Sequence, residues 1–82
     1  MDLVTLTEEI VKSLVKNTEA VSVKEFPTEE ENTILIQVIV AESDMGRVIG
    51  KAGKCANAIR TLVQASAYAT GQKRVRIDID SF

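Results

Sequence analysis

Residues 47–54 read Arg-Val-Ile-Gly-Lys-Ala-Gly-Lys, with two glycines three positions apart and three basic side chains around them. A long segment of good helix formers follows, from Lys54 to Ala69. The amides that open a helix lack intrahelical partners and lie at the positive end of its dipole. Because glycine also lets another backbone approach closely, this GxxG turn is suited to holding a phosphate. The alternative is a tight turn between two helices with solvated basic residues.

The composition is that of one globular domain. Eighty-two residues can bury a core without disulfides, so we expect a single domain over residues 1–82. The longest apolar run, from Ile34 to Ala41, is interrupted by Gln37 and is too short to span a membrane. The N-terminus lacks the pattern of a secretory signal. With one cysteine and no secretory signal, we expect a cytoplasmic protein that does not act at a membrane.

The residue inventory also argues against an enzyme. One cysteine and no histidine exclude a structural zinc site and a His-based triad. Neither GxxxxGK[ST] nor GxGxxG is present, so nucleotide-binding loops of those kinds are excluded as well. Cys55 could carry a lowered pKa near a helix start, although a space-filling role is the commoner one. We therefore expect a protein that is not an enzyme, with no metal and no cofactor.

Charge is distributed unevenly along the chain. Residues 1–44 carry ten acidic residues and three lysines, whereas residues 45–82 carry seven basic residues and two aspartates. The net charges of the halves are therefore −7 and +5, which sum to the overall −2. This asymmetry predicts one face for an anionic partner and one that repels it.

The first half predicts a helix followed by two strands. Thr5 and Glu8 have capping-box spacing, which favours a helix from Thr5, or a residue or two earlier, to about Lys16. Alternation predicts a strand from Ala20 to Phe26. A β-branched run from Thr33 to Ala41 is typical of a central strand. The predicted core stripe of the helix consists of Leu6, Ile10, Val11, Leu14 and Val15. Three consecutive glutamates lie in the loop between the strands, Pro27–Asn32.

The second half predicts two helices and a strand. Ser43 or Asp44 can cap a short helix over Met45–Ile49, and Gly71 can end the long one. The apolar side of the long helix is predicted to hold Ala56, Ile59, Leu62, Val63 and Ser66. The final strand alternates Val75, Ile77 and Ile79 with Arg74, Arg76, Asp78 and Asp80. The whole order predicts an α+β fold in which three helices pack on a three-stranded sheet.

The run Val48-Ile49-Gly50-Lys51-Ala52-Gly53, followed by Ile59 within a strand–helix–GxxG–helix–strand order, resembles the KH family of RNA-binding domains. The extra helix and strand that precede this core resemble the type II arrangement, α-β-β-α-GxxG-α-β. The resemblance covers the whole chain, and it is similar to small bacterial proteins that consist of a single KH domain.

The resemblance implies binding of single-stranded RNA in a narrow apolar groove, with the GxxG loop clamping the backbone. It also implies a role in post-transcriptional regulation or as an RNA chaperone. The residues that it assigns to RNA contact are Arg47, Val48, Ile49, Gly50, Lys51, Ala52, Gly53, Lys54 and Arg60. Ile59 is expected in the groove floor or, more simply, the core. By the same resemblance we expect a homodimer, a heterodimer with a larger KH-containing protein, or both.

Two features of the sequence limit this interpretation. The only aromatic residues are Phe26, Tyr68 and Phe82, none of them near the turn, so base stacking is expected to contribute little and affinity to be weak. In the KH family the loop that corresponds to Pro27–Asn32 borders the groove. Its glutamates would repel RNA if they point into the groove; the alternatives are that they are solvated on the far side or offer a surface to a basic partner. The alternative function is therefore a protein–protein interaction module with little intrinsic RNA binding.

Overall fold

A computed structural model of the chain describes residues 2–71 and 74–82. Six main elements follow the predicted order: α1 Leu3–Leu14, β1 Ser22–Pro27, β2 Thr33–Val40, α2 Met45–Ile49, α3 Lys54–Ala69 and β3 Arg74–Ser81. Single turns of 3₁₀ helix lie at Thr18–Ala20, Glu42–Asp44 and Lys51–Gly53. The predicted bounds of α2 and α3 and the predicted α+β class are confirmed.

The three strands form one mixed sheet in the order β1-β2-β3. β1 runs antiparallel to β2, with Val23 opposite Val38, and β2 runs parallel to β3, with Ile36 opposite Ile77. The central place predicted for β2 is confirmed. Ile36, Val38 and Val40 are fully buried on the face that the helices cover, because β-branched side chains pack well on a pleated surface.

The helix α1 begins at Leu3, two residues before Thr5, which agrees with the earlier start that the sequence left open. Asp2, not Thr5, is its N-cap, and the Asp2 carboxylate accepts hydrogen bonds from the Thr5 amide (2.8 Å) and the Thr5 hydroxyl (3.0 Å). Thr5 therefore lies in the first turn. The helix also ends at Leu14, two residues before the predicted Lys16, because Val15 has an extended backbone.

The buried face of α1 is correspondingly shifted from the predicted stripe. Leu3, Thr7, Val11 and Val15 are buried, whereas Leu6, Ile10 and Leu14 are only partly buried. Thr7 satisfies its buried hydroxyl by donating to the Leu3 carbonyl at 2.7 Å, so a polar residue occupies a core position without an unpaired group.

Leu62 is the clearest error in the predicted core. The long helix buries Ala56, Ile59, Val63 and Ala67, while Leu62 is 56% exposed. These four buried residues recur at the three- and four-residue spacing of one helical face, and Leu62 lies about 100° around the helix from Val63 at 3.6 residues per turn. The core reading of Ile59 is confirmed, with 2% exposure.

Local turns account for the remaining differences. β1 begins at Ser22, not at Ala20, because Thr18–Ala20 forms a 3₁₀ turn. Pro27 is the last residue of β1, where an edge strand tolerates a missing amide donor. Gly71 ends α3 as predicted, with a φ of 75° and its amide donating to the Tyr68 carbonyl at 3.1 Å.

Candidate nucleic-acid interface

The GxxG turn joins α2 to α3 through an unusual backbone path. The Gly50 amide closes α2 by donating to the Gly46 carbonyl at 3.0 Å, and the Gly53 amide donates to the Gly50 carbonyl at 3.2 Å. Gly50, Ala52 and Gly53 all have positive φ, at 75°, 56° and 75°. Three left-handed residues in four positions fold the turn tightly, so the Lys51–Lys54 segment projects at the start of α3.

Gly50 is required for a packing reason as well as a conformational one. A Cβ placed on Gly50 would lie 2.6 Å from the Cys55 Cβ and 2.9 Å from the Cys55 backbone nitrogen. Its backbone, φ 75° and ψ 172°, also lies in a region that is essentially restricted to glycine. At Gly53 a Cβ would meet nothing within 4 Å. The close approach of the turn to the first residues of α3 therefore depends on Gly50.

The turn presents positive charge beside the start of a helix. Lys51, Ala52 and Lys54 are exposed. The N-cap of α3 is Gly53, so no side chain caps its first amides. A sixteen-residue helix carries a partial positive charge at this end. Exposed lysines thus lie next in the chain to the first amides of α3, an arrangement that favours a bound phosphate.

Arg47 is also beside the turn, held there by Asp44. Its Nε lies 3.4 Å from the Asp44 Oδ1, and its side chain remains 48% exposed. An ion pair three residues apart on a helix restricts the guanidinium without burying it. The Arg47 guanidinium is therefore held in place by Asp44 and is still exposed enough to pair with an anionic partner.

Asp44 joins the two ends of the helical layer. Its position precedes α2, but its side chain makes no capping hydrogen bond there. Instead its carboxylate accepts hydrogen bonds from the backbone amides of Lys16 (3.1 Å) and Asn17 (3.0 Å), just beyond α1. Those amides, first Lys16 and then Asn17, hold the pKa of the Asp44 carboxyl below its usual value, with a smaller contribution from Arg47. The side chain is only 2% exposed, and it fixes the end of α1 against the start of α2.

Apart from Arg47, the predicted contact residues fall into three groups in the structure. Lys51, Ala52 and Lys54 are exposed on the turn, with Gly50, Gly53 and Ile49 partly buried behind them. Val48 is fully buried, so it supports the turn from the core and presents no surface to a ligand. Arg60 lies beyond the turn, where its Nε donates to the Ile77 carbonyl on β3 at 3.4 Å.

The glutamate loop lies at the other end of the sheet from the GxxG turn. It precedes the first residue of β2, whereas the turn is reached from the last residue of β2 through α2. Eight residues of strand at about 3.3 Å each separate the two ends by roughly 25 Å. Glu30 of this loop pairs with Arg76 of β3 at 3.2 Å.

A groove lies between α3 and β3, and the predicted contact residue Arg60 is among its lining residues. It has a volume of about 610 Å³. Its lining residues are Arg60, Thr61, Gln64, Ala65, Tyr68, Arg74, Val75, Arg76 and Ile77. The repeat of Arg60, Gln64 and Tyr68 at four-residue intervals was a detectable signal, because residues so spaced share one face of a helix.

Residues 2–71 and 74–82 contain neither a cluster of metal-binding side chains nor a helix fit to span a membrane. No group of three or more histidine, cysteine, aspartate or glutamate side chains is arranged to hold a metal ion. No helix in this part of the chain combines the length and apolar character needed to cross a membrane.

Comparison with known sequences decides the family. The sequence profile described as KhpA/KhpB, KH domain, matches residues 4–79. The chain belongs to the KhpA/KhpB family of KH domains. The resemblance to the KH family that the sequence showed is thereby confirmed.

Curated relatives within this KhpA/KhpB family are similar over nearly their whole length. RNA-binding protein KhpA of Caldanaerobacter subterraneus subsp. tengcongensis is 47% identical over 74 residues, which cover 90% of this chain and 95% of that protein. RNA-binding protein KhpA of Clostridium perfringens is 47% identical over 70 residues, covering 85% and 91%. The KhpA of Borreliella burgdorferi, also named an RNA-binding protein, is 40% identical over 74 residues, covering 90% and 87%.

Solved structures show the same KH-like fold at low sequence identity. Aquifex aeolicus Era bound to GDP and AlF4⁻ superposes over 100% of this chain with a TM-score of 0.63 and 21% identity. Era in complex with MgGDPNP and a segment of 16S ribosomal RNA gives a TM-score of 0.60, also at 21% identity. This chain spans about a third of each Era chain, 32% and 31%. At this identity the likeness describes the fold alone.

Proposed function

We propose that this protein binds single-stranded RNA, with the GxxG turn clamping the RNA backbone and residues 1–82 acting as one KH domain. The observation that carries the proposal is the turn itself, in which Lys51 and Lys54 are exposed beside the uncapped amides of α3. Membership of the KhpA/KhpB family, whose curated relatives are named RNA-binding proteins, supports it. The role is that of a post-transcriptional regulator or RNA chaperone in the cytoplasm, and not of an enzyme.

Each predicted contact residue has a different role in this proposal. Gly50 and Gly53 let a phosphate approach the main chain, and Lys51 and Lys54 neutralise it. Arg47, held by Asp44, adds a third positive charge. Ala52 keeps the turn small, and Ile49 offers apolar contact to a base. Val48 maintains the turn from the core. Arg60 contacts RNA that continues along α3.

The distance of the glutamate loop favours RNA binding over the alternative protein-interaction module. Repulsion between exposed charges is largely screened beyond a Debye length of about 8 Å at physiological salt. The loop and the turn lie beyond opposite ends of β2, a strand about 25 Å long, and Glu30 of the loop is paired with Arg76. The acidic surface therefore weakens RNA bound at the turn only slightly.

The test is RNA binding by wild type and by the double variant Lys51→Asp/Ala52→Asp. Both positions are exposed, and aspartate is among the residues that tolerate the left-handed backbone of Ala52. We expect fluorescence anisotropy of a labelled ten-nucleotide RNA to show at least a tenfold weaker affinity in the variant. For wild type, neutralising about three phosphates predicts a slope near −2 for log K against log salt, from about 0.7 per phosphate on single strands.

A matched pair of single variants controls for net charge. Lys51→Asp and Lys24→Asp change the charge equally, but Lys24 is an exposed residue of the distant edge strand β1. We expect only Lys51→Asp to reduce binding strongly. Equal losses in the two variants would contradict a clamp at the turn and indicate a diffuse effect of charge, and no binding by wild type would favour the protein-interaction module.

We further propose that the protein works as a homodimer, or as a heterodimer with a larger KH-containing protein resembling KhpB. Linking two weak sites raises affinity through effective concentration without improving either site. The exposed side of α3 favours self-association, because Leu62 is 56% exposed in a row of small residues. The other exposed members of this row are Ala58, Ala65 and Ala69.

Sedimentation of wild type and Leu62→Glu tests the dimer. We expect wild type to dimerise and Leu62→Glu to remain a folded monomer, since the substituted side chain is largely exposed. The number of RNA molecules bound per dimer then tells whether RNA binding competes with dimerisation. A monomeric wild type at high concentration would contradict the homodimer.

A further inference from the structure

The face of the sheet that is turned away from the helices carries an ordered set of side chains. Residues paired across neighbouring strands have their side chains on the same face, and Ile36 and Val38 are buried on the face that the helices cover. The residues that alternate with them in β2, and their partners in β1 and β3, therefore lie on the open face. Three rows there cross the sheet from β1 through β2 to β3, and we call them the first, middle and last open-face rows. In that order they consist of Phe26, Leu35 and Arg76; Lys24, Gln37 and Asp78; and Ser22, Ile39 and Asp80.

Lys24 and Asp78 are opposite charges at the two edges of the middle row. Both are exposed, and two strand spacings of about 4.8 Å each separate their backbones. In the part of the chain that the structure describes, no ion pair involves either residue. The open face thus presents an unpaired positive charge on β1 and an unpaired negative charge on β3.

The first row combines an exposed aromatic ring with a hollow at the same height along the strands. Phe26, on the β1 side, is 40% exposed. The hollow lies on the β3 side and has a volume of about 410 Å³, within the range of sites that hold a compact ligand. Burying an aromatic side chain removes about 150–250 Å² from water, so a partner with a ring at this height would gain by filling the hollow. The residues that line it are Thr28, Leu35, Arg76, Ile77 and Asp78.

A two-fold axis that runs along β2, between two copies packed face to face, brings these features together. The rotation keeps the position of each residue along the strands and exchanges the two edges of the sheet, so β1 of one copy faces β3 of the other. Phe26 then faces the hollow of the other copy, where the Arg76 guanidinium can contact the ring. Lys24 faces Asp78, and each contact occurs twice because the interface is isologous. Leu35 of one copy meets Leu35 of the other on the axis.

The other two-fold axis, perpendicular to the strands and centred on the middle row, is disfavoured by charge. It would set each strand against itself in reverse, so Lys24 would face Lys24 and Asp78 would face Asp78. Like charges brought together in a contact repel and suppress that arrangement. The distribution of charge over the open face therefore favours the axis along β2.

We propose that a second copy of this chain docks on the open face about this axis, with each Phe26 in the hollow of the other copy and each Lys24 paired with Asp78. The occupant is a second copy because each row is complementary to itself once its edges are exchanged. The last row follows the same rule, since the Ser22 hydroxyl faces the Asp80 carboxylate and can donate a hydrogen bond to it. Sheets packed in this way remain aligned within about 30°.

This contact is separate from the dimer proposed through α3. Leu62 belongs to the helical layer, whereas the open face is on the other side of the sheet. Three strands of at most eight residues present a face on the order of 300–400 Å², about half of the ~800 Å² per partner of a standard interface. The association is therefore weak: it is dissociated at the low protein concentrations of an RNA-binding measurement and effective where copies are already linked. A copy that uses both contacts joins dimers into larger assemblies.

Concentration-dependent NMR spectra of Leu62→Glu test the proposal, since that change removes the other proposed contact. Between about 50 µM and about 1 mM, a range suited to weak association, we expect the amides of the open-face rows to shift. Phe26→Ala in the same background should reduce these shifts severalfold, because the hollow is then left unfilled. Shifts confined to other surfaces, or no shifts up to about 1 mM, would overturn the proposal.

Charge exchange at the middle row gives a sharper test. In the Leu62→Glu background, Lys24→Asp makes both edges of the row acidic and Asp78→Lys makes both basic, so each variant alone should associate at least about tenfold more weakly. An equimolar mixture of the two should associate about as tightly as the parent, because every acidic edge then faces a basic one. Glu9→Lys makes the same charge change as Asp78→Lys at an exposed position of α1 and should behave like the parent. A mixture as weak as the single variants would show that the copies do not meet through this face.

Discussion

Replacing Gly50 by alanine should destabilise the fold far more than the same change at Gly53. The added Cβ would lie 2.6 Å from the Cys55 Cβ and 2.9 Å from its backbone nitrogen, so rotation of a side chain cannot relieve the overlap. Displacing packed atoms costs about 1–3 kcal/mol. The backbone of Gly50, φ 75° and ψ 172°, adds about 1–3 kcal/mol of strain for any other residue. Together we expect a loss of about 3 kcal/mol in the free energy of unfolding.

Gly53→Ala is the matched control, because it makes the same chemical change three residues away. Its Cβ would meet nothing within 4 Å, and its backbone, φ 75° and ψ 9°, is left-handed helical. Alanine already occupies such a conformation at Ala52. The expected loss is about 1 kcal/mol, from the backbone alone.

Urea and thermal denaturation followed by circular dichroism measure both losses. At about 4–8 °C per kcal/mol for a domain of this size, Gly50→Ala should lower the midpoint by roughly 10–25 °C and Gly53→Ala by about 4–8 °C. Cys55→Ala should not rescue Gly50→Ala, because the atoms that clash are present in both residues. Equal losses at the two glycines, or rescue by Cys55→Ala, would refute the packing argument.

Three further predictions concern the elements around the turn. Asp44→Asn should destabilise the fold above the ordinary aspartate pKa near 3.9. Hydrogen bonds lower the pKa of Asp44 in the folded state, so the carboxylate's contribution to the free energy of unfolding is lost as pH falls through that lower value. The difference between wild type and variant in urea denaturation should therefore shrink below about pH 4. Gly46→Ala should raise the free energy of unfolding by about 0.5–1 kcal/mol, since the Cβ meets nothing within 4 Å and glycine weakens a helix interior; a lower urea midpoint would contradict this. Ile59→Ala should cost about 2–5 kcal/mol by leaving a cavity, measured in the same way, because the side chain is only 2% exposed.

Helix ends depended on contacts that the local pattern does not specify. Thr5 and Glu8 had the spacing of a capping box, but Asp2 precedes them and its carboxylate reaches the Thr5 amide. Both residues are capable caps, and the choice depends on which start buries the better face. The helix that begins at Leu3 brings Leu3, Thr7 and Val11 into the core. The burial of these side chains therefore decides where the helix begins, and the capping-box spacing does not.

The candidate site was predictable to the extent that it is local. Residues 47–54 contain both glycines and three of the four basic residues assigned to RNA contact, and they are adjacent in the chain, so their proximity follows from the sequence. The proximity of Arg60 and Tyr68 to residues of β3 does not follow from adjacency in the chain. Their shared groove exists only because β3 packs beside α3, with Val75 and Ile77 forming its other wall.

The sequence by itself determined the order of the elements, the central place of β2, the bounds of α3 and the GxxG turn. Each depends on neighbours within a few residues: an apolar period, a β-branched run or a glycine. The tertiary structure alone decided that Asp44 binds the amides of Lys16 and Asn17, 28 and 27 residues away, instead of capping its own helix. It also decided that Leu62 remains exposed. The physical reason is that helical periodicity defines which residues share a face, while the packing of other elements determines which face is covered.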